Sequence, residues 1–229
     1  MFCRILQNPR IQVLDTHVLP FEHRDADGKE RTAFITAIAT HPAITWFKAA
    51  ALIPTTHELT MLSQSVSLTS LDIALLRSSV PGLRGIAHMP QLRLLSLHAA
   101  DNSRIPLTSA DIQAVCEKSL DALSFARMQM DASTLAVAAS ARAKRMIFTR
   151  MAAVFDSSAI DVLCANPYIS SLEIGYCHIV RGGASRLAVS PTIEKMSLIL
   201  SRHHETFDSV RRAWVGAGKL RANLRFLVS

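Results

Sequence analysis

A proline-led phrase recurs along this chain, and recurrence of that kind limits the fold more than any other feature of the sequence. "NPRIQVLDT", "HPAITWFKA", "MPQLRLLSL", "NPYISSLEI" and "SPTIEKMSL" share the form P-x-φ-x-x-φ-x-φ, where φ is apolar and Thr16 takes the last such place in the first copy. A lone φ-x-x-φ-x-φ carries little weight in a chain that is 49% hydrophobic. Two further facts carry more. Five of the nine prolines (Pro9, Pro42, Pro90, Pro167 and Pro191) stand two residues before the first φ. That first φ falls at Ile11, Ile44, Leu68, Leu92, Leu120, Ala143, Ile169, Ile193 and Leu220, in steps of 33, 24, 24, 28, 23, 26, 24 and 27 residues. The long first step holds "EHRDADGKE", and this charged insertion, around residues 21–32, reads as a surface loop. The Ala143 unit is degenerate, and the last unit needs one extra residue before Leu224.

Each unit has a physical logic. The φ positions describe a bend and a short strand whose alternate side chains point outward. A helix-like stretch follows. "TSADIQAVCEK", "DASTLAVAASA" and "DSSAIDVLCAN" each begin with Thr or Asp where an N-cap belongs. Proline after the helix forbids its continuation and drives the residue before it toward extended backbone. It therefore marks the seam between one unit's helix and the next unit's strand. A single unit cannot bury its apolar side alone, but stacked units can, as an α/β arrangement with a parallel sheet on one side and helices on the other. Nine strands at about 4.8 Å would span roughly 40 Å.

Composition narrows the setting. The mean hydropathy is +0.24 and charged residues are 19%, yet no apolar run approaches the roughly 18–20 residues of a bilayer span, so no transmembrane segment is expected. "MFCRILQNPRIQ" carries charge and proline where a signal peptide would be apolar. Cys3, Cys116, Cys164 and Cys177 have no close partner in sequence, which points to a reducing compartment.

The unit resembles a leucine-rich repeat, L-x-x-L-x-L-x-x-[N/C]-x-L. The clearest match is "ISSLEIGYCHI", with Ile169, Leu172, Ile174, Cys177 and Ile179 in the pattern's places. Its continuation, "VRGGASRLAVSP", is similar to the I-x-x-x-G-A-x-x-L-A-x-x-P segment of bacterial type III effectors of the GALA class, from plant pathogens. The resemblance covers nearly the whole chain, residues 1–229 as a single array of about nine degenerate units. It implies a horseshoe solenoid, sheet on the concave side and helices on the convex side. It also implies a virulence protein secreted into the host cell cytoplasm, whose repeats bind a host protein. Some of that class carry an F-box, which this sequence lacks, so a part in substrate recognition for a ubiquitin ligase would need segments outside this chain. The Asn/Cys place is held mostly by neither residue: Leu19, Leu52, Leu76, Ala100, Met128, Met151 and Ser201 occupy it. Loop backbone groups must then find other partners. Neither end shows the polar cap a solenoid needs, so the array is expected to continue further, or to have its ends covered by a partner or by self-association.

The outward side chains fall into three columns. The first runs Val13, Trp46, Ser70, Leu94, Ala122, Arg145, Ser171, Lys195 and Asn223. The second runs Asp15, Lys48, Asp72, Ser96, Ser124, Ile147, Glu173, Ser197 and Arg225. The third runs His17, Ala50, Ala74, His98, Ala126, Thr149, Gly175, Ile199 and Leu227. This mixture of one large aromatic, scattered charges and small residues suits a protein partner better than a nucleic-acid backbone. Trp46, Lys48, Asp72, His98, Arg145, Ile147, Glu173 and Lys195 are the candidate partner-binding residues. Trp46 is the candidate anchor, because exposed tryptophan is enriched at hot spots. The plainer alternatives are packing of Trp46 near the start of the array and mutual charge compensation among Asp15, Lys48 and Asp72.

Other chemistries find little footing. The net charge is +7, "ARAKRMIFTR" gathers Arg142, Lys144, Arg145 and Arg150, and the C-terminal part adds Arg202, Arg211, Arg212, Lys219, Arg221 and Arg225. A basic face of this kind is the footing for a nucleic-acid or membrane-surface binder, the alternative reading. His203, His204 and Glu205 are consecutive rather than spaced for a metal on a helix, and His17 and His23 lack a third ligand. Gly182 and Gly183 lack a phosphate-loop sequence and read as a tight turn into a helix. No G-x-S-x-G occurs, and Cys116 and Cys164 lie among apolar neighbours, where thiols are inert. No catalytic residue, metal or cofactor is expected.

Overall fold

Strands appear where the repeat spacing places them. The computed structural model describes residues 6–16, 29–49, 52–100, 104–199 and 207–227. Nine strands form one open sheet in the order β1 (Val13–Asp15), β2 (Trp46–Ala49), β3 (Ser70–Leu75), β4 (Leu94–Ala99), β6 (Leu120–Ala126), β8 (Ala143–Thr149), β10 (Ser171–Gly175), β12 (Lys195–Ile199) and β13 (Leu224–Leu227). The remaining strands are short: β5 (Ile105–Leu107), β7 (Met128–Met130), β9 (Val154–Phe155) and β11 (His178–Ile179). All pairs in the large sheet are parallel. The described residues hold eight α-helices: α1 (Lys29–Thr40), α2 (Thr56–Leu62), α3 (Leu83–Ala87), α4 (Ser109–Glu117), α5 (Ala132–Ala139), α6 (Ser157–Ala165), α7 (Gly183–Val189) and α8 (Phe207–Gly216). Consecutive helices pack on one another in the same order as the strands. None is long and apolar enough to cross a membrane.

Parallel strands cannot be joined by a tight turn, so each connection crosses over through a helix. The period-two alternation of each strand then decides what is buried. Phe47, Leu71, Leu95, Leu123, Met146, Leu172 and Met196 form one register row, and Ala49, Ile73, Leu97, Phe125, Phe148, Ile174 and Leu198 the next. Every one of these side chains is buried, in a single core shared with the helices. Full burial of each large side chain contributes about 1.5–3 kcal/mol. Phe125 and Phe148 stack at 6.0 Å, and Phe155 meets Phe148 edge-on at 5.1 Å. The degenerate unit still fits, because Ala143 is buried and pairs with Leu120. The caps expected at Asp131 and Asp156 hold as well, whereas Thr108 takes the N-cap position without a side-chain bond to a helix amide. Asp131 Oδ1 accepts from Thr134 N at 2.7 Å and Asp156 Oδ1 from Ala159 N at 2.9 Å, while Asp111 reaches back to Thr108 N at 2.8 Å.

Two expectations need correction. The charged insertion is not a loop throughout. Residues 17–28 lie outside the described residues, but 29–32 form the first turn of α1, and Arg31 there has a partner that fixes it. Leu220 is not a buried first φ. It is 71% exposed at the head of a 3₁₀ turn (Arg221–Asn223), and the added residue puts Leu224 opposite Met196 instead.

The proline seam, at the leading margin where the strands begin, carries a polar ladder. Asn8, His41, Ser65, Asn166 and Ser190 each stand three residues before a first φ. Asn8 Oδ1 accepts from Arg10 N at 3.0 Å, His41 Nδ1 from Ala43 N at 3.2 Å, and Asn166 Oδ1 from Tyr168 N at 2.9 Å, each bond spanning the proline. These side chains pre-form the bend that proline enforces. They also reach back one unit. His41 Nε2 meets Asn8 O at 3.3 Å, Ser67 Oγ donates to His41 O at 2.8 Å, and Ser190 Oγ donates to Cys164 O at 3.2 Å. Asn166 Nδ2 donates to Ala139 O at 2.8 Å and Ala141 O at 2.9 Å. Where Met89 replaces the polar residue, Lys118 Nζ answers its carbonyl at 2.7 Å.

The trailing margin, where the strands end, is built differently. Leu52, Ala100, Met128, Met151 and Cys177 are buried there and Leu76 is exposed; Leu19 and Ser201 lie outside the described residues. The backbone groups bind each other, as in Arg127 N to Thr149 O at 2.9 Å, Arg150 N to Gly175 O at 2.8 Å and Ala152 N to Met128 O at 2.9 Å. Short parallel ladders, β5 with β7 and β9 with β11, extend this pairing. Arg127, Arg150 and Tyr176 hold the same turn position in successive units, at φ 59°, 55° and 55°. Left-handed backbone at a non-glycine residue costs about 1–2 kcal/mol. Near α2 the same margin is held by charge. Thr55 and Glu58 cap each other, Glu58 N to Thr55 Oγ1 at 3.2 Å and Thr55 N to Glu58 Oε2 at 2.7 Å, and Arg31 grips both oxygens of buried Glu58 at 2.8 and 2.6 Å.

Candidate functional site

The face of the large sheet turned away from the helices holds the three columns in the expected register. Val13, Trp46, Ser70, Leu94, Ala122, Arg145, Ser171 and Lys195 are consecutive neighbours across eight strands. Asp15, Lys48, Asp72, Ser96, Ser124, Ile147, Glu173, Ser197 and Arg225 form the second row. The third runs from Ala74 and His98 through Ala126, Thr149 and Gly175 to Ile199 and Leu227, while His17 and Ala50 lie outside the described residues. All eight candidate residues therefore share one face.

That face has two unlike halves. The first is apolar along one column and charge-balanced along the next. Trp46 is 42% exposed, Leu94 43% and Val13 52%, whereas the second tryptophan, Trp214, is fully buried in the core. The register places Leu94 in the first outward column but does not mark it as a contact residue; its exposure in the same column as Trp46 is what the structure adds. Beside this stripe Lys48 Nζ lies 3.6 Å from Asp15 Oδ2, and His98 Nδ1 lies 3.3 Å from Asp72 Oδ1. The His98 contact is close enough for an ion pair but off hydrogen-bonding geometry. Burial pushes the Asp72 carboxyl up, and the adjacent His98, with Ser96 and Lys48, outweighs that and holds it below its ordinary range.

The second half is a polar hollow of about 600 Å³ over β8, β10, β12 and β13. Arg145 is tied to Glu173 at 3.2 Å. Lys195 and Arg225, on adjacent strands, are exposed and have no ion-pair partner among the described residues. Ser171, Ser197 and Asn223 supply neutral hydrogen-bonding groups between them. A larger recess of about 1070 Å³ opens at the trailing margin, beside Arg104, Gln129, Val154, Tyr176 and His178.

The basic stretch does not form one cationic patch. Arg142 lies over the Tyr168 ring at 5.9 Å and Arg150 over Tyr176 at 5.2 Å, while Lys144 binds Asp121 at 2.7 Å and Arg145 binds Glu173. Gly182 turns into α7 at φ 81°, a backbone reason for glycine, and a Cβ on buried Gly183 would sit 2.8 Å from Ile179 Cγ2, a packing reason. Burial pushes the Cys116 thiol up to about 12 and the Cys177 thiol up to about 11, and raises Cys164 as well. No metal-ligating cluster occurs among the described residues, and His203, His204 and Glu205 fall outside them, as does His23. No protein-family model matches this chain, and no curated protein matches it.

Proposed function

We propose that this chain is a leucine-rich-repeat solenoid, its large sheet forming the concave side, and that it serves as a protein-recognition scaffold. The observation that supports this reading is the uncovered sheet face. Parallel sheets are ordinarily covered on both faces. Here one face carries no helix among the described residues, yet it presents Trp46 and Leu94 beside the Lys48–Asp15 ion pair and the His98–Asp72 contact. A large exposed aromatic ringed by polar groups is the composition of an interface core. The resemblance to GALA-class repeats extends the reading to a bacterial effector acting in a host cell. The separate partners of Arg142, Lys144, Arg145 and Arg150 weigh against a nucleic-acid or membrane-surface binder.

Trp46→Ala, and separately the pair Lys48→Glu with Glu173→Lys, should leave the circular dichroism spectrum unchanged and abolish capture of the partner from host-cell extract. Capture of the same proteins by all three chains would overturn the assignment of this face.

A further inference from the structure

We propose that the sheet face takes an extended acidic segment of its partner, with an apolar side chain on Trp46 and Leu94 and a carboxylate between Lys195 and Arg225. The inference rests on the recognition reading above and names the chemistry of the partner.

The argument is one of charge accounting along the face. Lys48 is balanced by Asp15, His98 stands beside Asp72, and Arg145 is balanced by Glu173. Lys195 and Arg225 remain, both exposed, at one end of the hollow. A guanidinium and an ammonium on neighbouring strands suit a single carboxylate, with the arginine fork supplying directed hydrogen bonds. Among the described residues the same hollow is lined by Glu173 and Glu194 and by no aromatic ring. Glu173 is already balanced by Arg145, so with Glu194 counted Lys195 and Arg225 leave one net positive charge in the hollow. That surplus is too small for a continuous phosphate backbone, and the missing rings remove base stacking. The hollow leaves room for one acidic side chain flanked by residues that hydrogen-bond to Ser171, Ser197 and Asn223. Reach is also consistent. From β2 to β12 is six strand spacings, at most roughly 30 Å. An extended chain covers that in about nine residues.

Random 12-residue peptides displayed on phage are the probe, selected on the immobilised chain and sequenced against the input. Selected peptides should be enriched in Asp and Glu, with an aromatic or aliphatic residue at a fixed separation. The strongest, made synthetically, should bind about tenfold or more weakly to Lys195→Glu/Arg225→Glu, with Lys195→Gln/Arg225→Gln between the two. Trp46→Ala should weaken it too. Both cationic positions are exposed, so the variants should keep the parent's circular dichroism. If Trp46→Ala weakens binding but neither double variant does, the acidic inference falls and the recognition face stands. If no variant alters binding, both fall. Tighter binding of a 20-nucleotide single-stranded DNA, lost in the charge-reversed variant, would reassign the hollow to nucleic acid and overturn the proposal.

Discussion

The two margins of the sheet solve the same problem by different means. Both must satisfy backbone groups where strands meet loops. At the leading margin, side chains do this. Asn166 alone answers two carbonyls of the preceding unit and one amide of its own. At the trailing margin the backbone mostly answers itself through short ladders and left-handed turns, over buried Leu52, Ala100, Met128, Met151 and Cys177. The difference teaches where each margin is vulnerable. Side-chain ladders fail by point substitution, whereas backbone ladders tolerate it wherever the backbone angle is kept.

The largest expected effect tests that contrast directly. Asn166→Ala should lower unfolding stability by about 3 kcal/mol, because two buried carbonyls and the part-buried Tyr168 amide lose their partner. Cys177→Ala, at the trailing margin, removes a single thiol donor to Gly175 O at 3.1 Å and should cost about 1 kcal/mol. Urea titration of both variants measures the difference, and equal losses would erase the distinction.

Next comes the one stretch of the trailing margin that relies on charge. Arg31→Met leaves the buried Glu58 carboxylate without its cation and should cost about 2–3 kcal/mol at neutral pH. Burial pushes the Glu58 carboxyl up, but Arg31 and the Thr55 amide outweigh it, so folded Glu58 titrates below its ordinary 4.5. A depressed folded value means the stabilisation is complete above about pH 4.5 and is lost as pH falls through the folded value. Thermal melts between pH 7 and pH 3 should therefore fall more steeply for the parent than for Arg31→Met, and parallel curves would count against the pair.

The smallest effect concerns the left-handed turns. Arg150→Val should cost about 1–2 kcal/mol, because a β-branched residue resists φ 55°. Arg150→Gly should stay within about 0.5 kcal/mol of the parent, as relief of the turn offsets loss of the contact with Tyr176. Chemical denaturation of the two variants side by side reads the backbone term alone.

Much of this was legible in the sequence for a definite reason. Proline and the φ positions are fixed in kind, so strand placement, the register of the outward columns and the caps at Asp131 and Asp156 could be read directly. The seam ladder could not, because its place is filled by Asn8, His41, Ser65, Met89, Asn166 and Ser190, four residue types at one position. The helix beginning at Lys29 was hidden by charges that read as a loop, since the partner that fixes Arg31 stands 27 residues away at Glu58. Within the candidate face, Trp46 and the columns were readable, but the state of each charge was not. Whether Arg145 is neutralised and Arg225 is not depends on side chains meeting across strands, which residue spacing alone does not report.

The bonds crossing the prolines, and their partners one unit behind, carry a mechanical consequence. Asn166, Ser190 and Ser67 each hold the turn immediately behind and none further off. Tension applied at one extremity would load the nearest strand–helix unit first and be shed as that unit peels away, so the molecule should yield in stages, like a zip drawn tooth by tooth.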